Sequence, residues 1–485
     1  MKDSYEYKKK FYVSQKPYVI FWYIVVILLI AFVGNTLLKS NGNAEKNLFY
    51  LCWIGNSLMV YSIYTWKRIN GNLFSSYIFF LVSFFTFTYG QAFLRSIGII
   101  HEPFDLYRLY STETLLQAHL YTILGLSFMH LGALCTQKNK IRVQEIFEIQ
   151  DKSLNKSIKV IAWGLFILSS IIYFYKTGQN MVQSLTYGYM SLYNYNNNDF
   201  GNNISFMNNV VLTVKLFFIP AIFLLIVVYK KNKITRNLMV FILIAAVLLN
   251  FAAGARSDAA ALLVSFMVLW HEQIKIFKGK TTVVILIGSI LLLCVFNIIG
   301  EIRGNEGRTI HDIFQQSIEI ISSRNPVIGS IGEMGGSMFP LIEMMKLVPN
   351  NFDFKYGETY LAALLAIFPN FLTGGIIDRV SLSNWLMSVL NMNYGPGFSL
   401  LAEAYYNFSW LGVIFMFLLG FLIAKILNPS KGSSDQIALS KVFVAVMLYF
   451  LITASRSDSL LLIRYEVYYA LVPYISINLL RKYFR

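Results

Sequence analysis

The chain has 485 residues, 56% of them hydrophobic and only 14% charged, with a mean hydropathy of +0.55. A soluble globular protein carries about 25% charge, so the composition excludes a soluble enzyme, a disordered tail protein and a secreted disulfide scaffold. It points to a polytopic membrane protein, in which the location of the formal +16 charge carries topological information.

A helix needs about 20 apolar residues to cross a bilayer. In chain order, twelve stretches meet or approach that length, near 18–38, 47–66, 74–94, 115–135, 158–176, 208–229, 238–253, 259–271, 281–299, 409–428, 440–454 and 459–480. The first, Tyr18 to Leu38, has no small-residue cleavage site and reads as a membrane anchor rather than a removable leader. The stretches 238–253, 259–271 and 440–454 are short, which predicts thin or tilted helices, or a re-entrant one. Two breaks are long: 177–207, rich in Asn, Gly and Tyr, and 300–408. The expected organisation is one integral membrane domain, with helices one to nine in 1–299, an extracytoplasmic loop carrying amphipathic helices in 300–408, and helices ten to twelve in 409–485. Cys52, Cys135 and Cys294 all fall within apolar stretches without metal-ligand spacing and read as small buried hydrophobes.

Basic residues cluster at Lys8–Lys10, Lys67/Arg68, Lys138–Arg142 with Lys152–Lys159, Lys230–Arg236, Lys275–Lys280, Lys425–Lys441 and Arg481–Arg485. With twelve spans and a cytoplasmic N-terminus, every cluster falls on the cytoplasmic side, as the positive-inside rule requires, and the C-terminus is cytoplasmic as well. That side holds 21 Lys and 5 Arg, whereas the remainder holds 6 Lys and 9 Arg. Lys serves as a topological anchor, while Arg is preferred where a carboxylate or phosphate is gripped through two parallel hydrogen bonds. The outer arginines are Arg95, Arg108, Arg256, Arg303, Arg308, Arg324, Arg379, Arg456 and Arg464, and ordinary salt bridging is the competing explanation for any single one.

The 300–408 region is the functional candidate, since a loop of this length is uncommon unless it has a function. Ile310, Ile313, Phe314, Ile318 and Ile321 recur at helical spacing, which predicts an amphipathic helix on the outer leaflet. A Gly-rich stretch (Gly329, Gly332, Gly335, Gly336) follows, and a second, more apolar helix is expected from Glu358 to Phe368, ended by Pro369.

The tripeptide Arg-Ser-Asp occurs twice, at Arg256-Ser257-Asp258 and Arg456-Ser457-Asp458, each time before an apolar run. An N-cap accounts for the Ser and Asp but not for the Arg. A helix N-terminus beside an arginine is an anion site, and phosphate or pyrophosphate binding stands against capping plus salt bridging. Charge also gathers at Glu301, Arg303, Glu306, Arg308, His311 and Asp312. That segment is either a solvated rim or a place where Arg303 and Arg308 neutralise an anionic head group while an acid or His311 acts as base. Arg464 and Glu466 lie within the twelfth span and Lys215 within the sixth. Charges there are costly, which predicts a paired structural role for Glu466, while Arg464 extends the Arg456 pocket. No Asp-x-Asp, P-loop, His-Glu-x-x-His or Gly-x-Ser-x-Gly is present, so no metal site and no cofactor is expected. Nucleic acid is not an expected partner either, because the basic residues sit in short loops at membrane edges.

The run Gly395-Pro-Gly-Phe398-Ser399-Leu-Leu-Ala402-Glu403-Ala-Tyr405-Tyr406-Asn407-Phe408-Ser-Trp-Leu-Gly412, preceded by Tyr356-Gly357-Glu358, resembles the O-antigen and capsule repeat-unit polymerases of bacteria, the Wzy-type family. In that family a large outer loop leads through such a run into the next membrane helix. The Gly-Ala-Arg-Ser-Asp turn at 254–258 is similar to the Gly-Ser-Arg turn of these proteins, and the likeness covers roughly 250–415.

The resemblance implies an all-α polytopic membrane protein with a GT-C-like glycosyltransferase architecture in the bacterial cytoplasmic membrane. It implies a metal-independent enzyme whose donor and acceptor are polyprenyl-pyrophosphate-linked glycans, working among membrane lipids and beside a flippase and a chain-length regulator. Without a metal, the departing pyrophosphate needs protein cations and the acceptor hydroxyl needs a base. On this reading Arg256, Arg303 and Arg456, with Arg308, Arg324 and Arg464, supply the cations. Glu403 is the first candidate base, against a helix N-terminal glutamate favoured by the dipole, and His311 is the second. Tyr405, Tyr406 and Asn407 suit sugar stacking and hydrogen bonding, although aromatic residues also belt membrane interfaces. A lipid-linked oligosaccharide flippase is the alternative; the single long loop argues against it, since a flippase is expected to have two comparable halves and short loops. A ligase-like glycan transferase is a third reading.

Overall fold

The structure is a computed structural model that describes residues 15–40, 42–99, 104–137, 146, 148–189, 191–192, 206–302, 310–323, 325–368, 381–392, 395–429 and 432–485. Among the described residues the regular structure is entirely helical, and the chain divides into two compact units. Every apolar run expected from the sequence is a helix. Nine helices among the described residues are long and apolar enough to cross a membrane: Gln15–Lys39, Ser76–Ser96, Thr112–Thr136, Lys152–Tyr187, Val210–Val228, Lys233–Ala252, Leu400–Leu427, Ser434–Arg456 and Ser459–Tyr483. The other three expected spans are helical as well, at Ala44–Asn70, Arg256–Gln273 and Gly279–Ile302. The tenth expected span starts earlier than the hydropathy predicts, at Leu400 rather than near 409.

The first unit comprises 1–144, 335–358 and 399–428. Its N-terminal helices are α1 (Gln15–Lys39), α2 (Ala44–Asn70), α3 (Ser76–Ser96) and, after the short turn α4 (Leu106–Leu109), α5 (Thr112–Thr136). Alpha5 is buried along nearly its whole length, from Leu115 to Leu134, and is the helix on which α1, α2 and the later helix of this unit pack. That later helix, Gly412–Leu427, approaches α5 backbone to backbone. A Cβ at Gly420 would lie 1.9 Å from the Met129 carbonyl oxygen, and one at Gly132 would lie 2.0 Å from that of Phe417. Lipid removes the hydrophobic incentive for helix association, so close contact at small residues is what holds such a pair.

The second unit comprises 145–334, 359–398 and 429–485. In chain order it contains α6 (Lys152–Tyr187), α7 (Phe206–Leu216), α8 (Phe218–Val228), α9 (Lys233–Ala252), α10 (Arg256–Gln273), α11 (Gly279–Ile302), α12 (Ile310–Ser323) and most of α13 (Pro326–Gly335). In the first unit, α14 (Phe339–Leu347) follows; α15 (Glu358–Leu365) and α16 (Leu382–Val389) then belong to the second. The first unit closes with α17 (Leu400–Phe408) and α18 (Gly412–Leu427), and the second with α19 (Ser434–Thr453), α20 (Ser459–Tyr465), a π-helical turn at Glu466–Leu471, and α21 (Val472–Tyr483).

Alpha8 is apolar on all sides and correspondingly buried from Phe218 to Val227, the pattern of a helix enclosed by others. Alpha6 has 36 residues, about 54 Å of helix, which exceeds a bilayer core of about 30 Å. At its start Asp151 caps the first turn and binds Arg481 of α21, with one bond of 2.8 Å from Nε and a shorter one from Nη2. The Ser153 hydroxyl, 2.6 Å away, and then Arg481 hold the Asp151 carboxyl well below the usual carboxylate range. Alpha12 is the amphipathic helix expected from the isoleucine spacing, with Ile318 and Ile321 exposed. The Gly-rich stretch is α13, and the second expected helix is α15, whose described helical turns end at Leu365; Pro369 lies outside the described residues.

Candidate functional site

In the second unit the two Arg-Ser-Asp turns adopt different registers. The first helix starts at the arginine itself: Ala255 is the N-cap of α10 and makes no side-chain cap bond. Ser257 and Asp258 are therefore inside the first turn and not the capping residues expected from their chemistry. Asp258 instead shares a hydrogen bond with Tyr449 of α19 and is attracted by Lys215 of α7. Lys215 sits 5.4 Å from the Tyr173 ring, and the Tyr173 hydroxyl accepts a 2.6 Å bond from Asn250. Four helices thus turn polar groups toward the start of α10.

Arg256 is nearly buried, with its side chain 10% exposed. Its Nη1 donates to the Phe296 carbonyl of α11 and to Glu333 Oε2 at 2.9 Å, while Nη2 donates to Glu333 Oε1. The guanidinium lies against Gly300, where a Cβ would come within 2.2 Å of Nη1, so a larger residue there would displace it from its seat. Asn297 in turn fills the space that a Cβ at Gly329 of α13 would need. Glycines in α11 and α13 are what allow an arginine and an asparagine to lie between these elements.

The second turn is built the other way. Arg456 ends a 3-10 turn, Ala454–Arg456, and Asp458 is the N-cap of α20. Asp458 accepts from the Leu461 amide at 3.3 Å and from the Leu382 amide at 2.6 Å, which ties the start of α20 to α16. Burial pushes its carboxyl up, and these amides oppose the shift. Arg456 is exposed. Its carbonyl accepts from the Phe398 amide at 3.1 Å, and its guanidinium stands about 4 Å from the position of a Cβ on Gly397. Gly397 has φ +77°, a left-handed conformation that glycine adopts without strain. Among the described residues no carboxylate and no carbonyl binds the Arg456 side chain. Arg464, at the end of α20, is half-buried and lies 5.7 Å over the Tyr468 ring, a cation–π contact at i,i+4 spacing.

His311 lies in the first turn of α12 and is exposed. Arg303, Arg308 and Arg324 lie outside the described residues. Among the described residues no group of three or more His, Cys, Asp or Glu side chains could hold a metal ion.

In the first unit, Ser399 caps α17 by accepting from the Ala402 amide at 3.1 Å, and Glu403 occupies the first turn of that helix, 1% exposed. Its carbonyl accepts the Asn407 amide nitrogen at 2.8 Å. Asn407 Oδ1 accepts from the Gly357 amide at 2.9 Å; its carbonyl accepts from the Tyr356 amide, and the Tyr406 carbonyl accepts from the Lys355 amide. The aromatic run is thus also a clamp on the 355–357 turn. Tyr405 is buried with its ring edge-on to Tyr121, 5.4 Å away, and close to Phe354. Tyr406 is buried as well. The ring that this clamp presents outward is Tyr356, 80% exposed.

Glu333 is the main residue that sequence reasoning missed at the arginines. Its only signal was its place within the Gly-rich stretch, and nothing local links it to an arginine 77 positions away. Asp258 and Lys215 were noted separately, as a cap and an intramembrane charge; their proximity is a tertiary fact.

No curated protein and no solved structure matches the chain. The family model for the O-antigen polysaccharide polymerase Wzy matches residues 18–485, nearly its whole length. Members of that family polymerise O-antigen repeat units and take lipid-linked oligosaccharides as substrates. The multi-pass helical chain built around these arginine turns belongs to the O-antigen polysaccharide polymerase Wzy family.

Proposed function

We propose that this polymerase joins polyprenyl-pyrophosphate-linked repeat units into O-antigen, capsular or exopolysaccharide at the outer face of a bacterial cytoplasmic membrane, without a metal, within a GT-C-like architecture of twelve spans whose termini are cytoplasmic. A flippase and a chain-length regulator are its expected partners. The acceptor hydroxyl oxygen attacks the anomeric carbon of the donor, the bond from that carbon to the pyrophosphate oxygen breaks, and the pyrophosphate leaves with the electron pair. The hydroxyl proton passes to a base, for which Glu403 and His311 are the candidates, with Tyr405, Tyr406 and Asn407 proposed on the sugar side. Cations fixed in advance around the leaving group lower the barrier most effectively, since they need no rearrangement as charge develops.

The observation that carries this reading is Arg456. It is an exposed arginine at the turn between two membrane-length helices, seated on the Gly395–Phe398 run, with no carboxylate among the described residues to neutralise it. Arg464 stands in the following helix and Arg256 in the matching turn; Arg303, Arg308 and Arg324 complete the proposed set. The test is Arg456→Ala in cells that make the polymer, with membrane insertion checked by immunoblot. Loss of long-chain glycan with accumulation of single lipid-linked units on the outer leaflet is expected. Full-length polymer from the inserted variant would sink the reading, and loss of outer-leaflet units altogether would indicate a transporter.

A further inference from the structure

We propose that Glu333 is an internal stand-in for the substrate's pyrophosphate, occupying the Arg256 fork at rest and leaving it when the lipid-linked donor binds. The inference rests on the reading of Arg256 as a pyrophosphate contact. Arginine binds a carboxylate and a phosphate through the same two parallel N–H bonds, and the Glu333 carboxylate takes up both ends of the fork. The rest of the guanidinium's seat does not depend on Glu333, because the Phe296 carbonyl and the bare backbone at Gly300 hold Nη1 from the other side. Removing the glutamate therefore leaves an oriented cation.

Three features make the glutamate the partner that moves. Its side chain is 37% exposed against 10% for the arginine, so the displaced carboxylate regains water while the arginine stays in place. It lies one turn before the 3-10 segment Gly336–Met338, and a mid-helix change to 3-10 geometry often marks a hinge. The helix that carries it contains Gly329, Gly332 and Gly335, and glycine costs a helix interior about 1 kcal/mol each, so the element is intrinsically weak. Exchange of a monovalent carboxylate for a multiply charged pyrophosphate then gains charge at the arginine without uncovering it. The resting contact keeps a nearly buried guanidinium neutralised between turnovers.

The experiment is calorimetric titration of inorganic pyrophosphate into the full-length chain in lipid nanodiscs, for wild type, Glu333→Gln, Glu333→Asp and Arg256→Ala. Glu333→Gln is expected to bind about tenfold tighter, because a charge-assisted competitor becomes a neutral one. Glu333→Asp, which keeps the carboxylate, is expected to stay near wild type and to show that the site tolerates substitution. Arg256→Ala is expected to abolish binding. If Arg256→Ala abolishes binding while Glu333→Gln binds no tighter than wild type, the displacement idea is overturned and the Arg256 reading stands. If Arg256→Ala binds as wild type does, the Arg256 reading itself fails.

Discussion

The two Arg-Ser-Asp turns of the second unit start from the same tripeptide and end in opposite states. In the first, the helix begins at Arg256, the aspartate falls inside the first turn against Tyr449, and the arginine is turned inward onto Phe296, Gly300 and Glu333. In the second, the helix begins at Ser459, Asp458 becomes its cap, and Arg456 is left exposed on the preceding 3-10 turn. A shift of three residues in where the helix starts decides which residue caps and which one reaches outward. Local chemistry made both arginines anion-site candidates; the helix register gives one a resident carboxylate and leaves the other open.

The largest effect that would break this contrast is at the open arginine. Arg456→Ala is expected to reduce polymer formation by about 100-fold or more, the scale for loss of one fixed donor to developing negative charge. Arg456→Lys is expected to recover only part of it, since an ammonium lacks the planar fork. Polymer lengths from membranes of inserted variants check both. If Arg456→Ala were silent, exposure would not distinguish the two turns functionally.

The cap of the second turn comes next. Asp458→Ala removes the acceptor for both the Leu461 and Leu382 amides and is expected to cost about 2 kcal/mol, the upper range for losing an N-cap, read as a lower melting temperature in detergent. Asp258→Ala tests the other register, where no cap is lost. Its expected cost is about 1 kcal/mol, one hydrogen bond to Tyr449; an equal loss in the two variants would erase the structural difference between the turns.

Another arginine–carboxylate pair, Arg481 with Asp151, serves as a purely structural control. Asp151→Asn weakens the Arg481 clasp and is expected to lower stability by about 1 kcal/mol with polymer length unchanged. Because the folded Asp151 carboxyl is held below its ordinary value, its contribution is complete above about pH 4 and is lost as pH falls further. The melting temperatures of wild type and Asp151→Asn should therefore converge on acidification below that point and stay separated at neutral pH.

Much of the architecture was legible because apolar length and helical spacing are local properties. The runs at 18–38 and 158–176, and the isoleucine stripe of α12, need no partner to be recognised. The start of α17 was legible only in the competing reading of Glu403 as a helix N-terminal glutamate, because the expected span began near 409. Leu400 to Phe408 is a helix because Ser399 caps it and because α14 and α18 pack on it. Glu403 moved with it, from an expected membrane-edge position to a buried one. Tyr405, Tyr406 and Asn407 illustrate the same limit. Aromatic and amide chemistry suits a sugar, but it equally suits the clamp these residues form on 355–357.

By itself the sequence determined that this is a membrane-embedded helical chain, where its apolar segments lie, and which of its arginines stand apart from the lysine-rich clusters. Those properties follow from composition and from periods of a few residues. Only the tertiary structure decided which arginine is already paired and which is open. That depends on Glu333 and Phe296 reaching Arg256 across long stretches of chain, and on a glycine backbone close enough to seat it. Pairing over such distances is set by how helices pack, and a tripeptide repeated in two places carries no record of it.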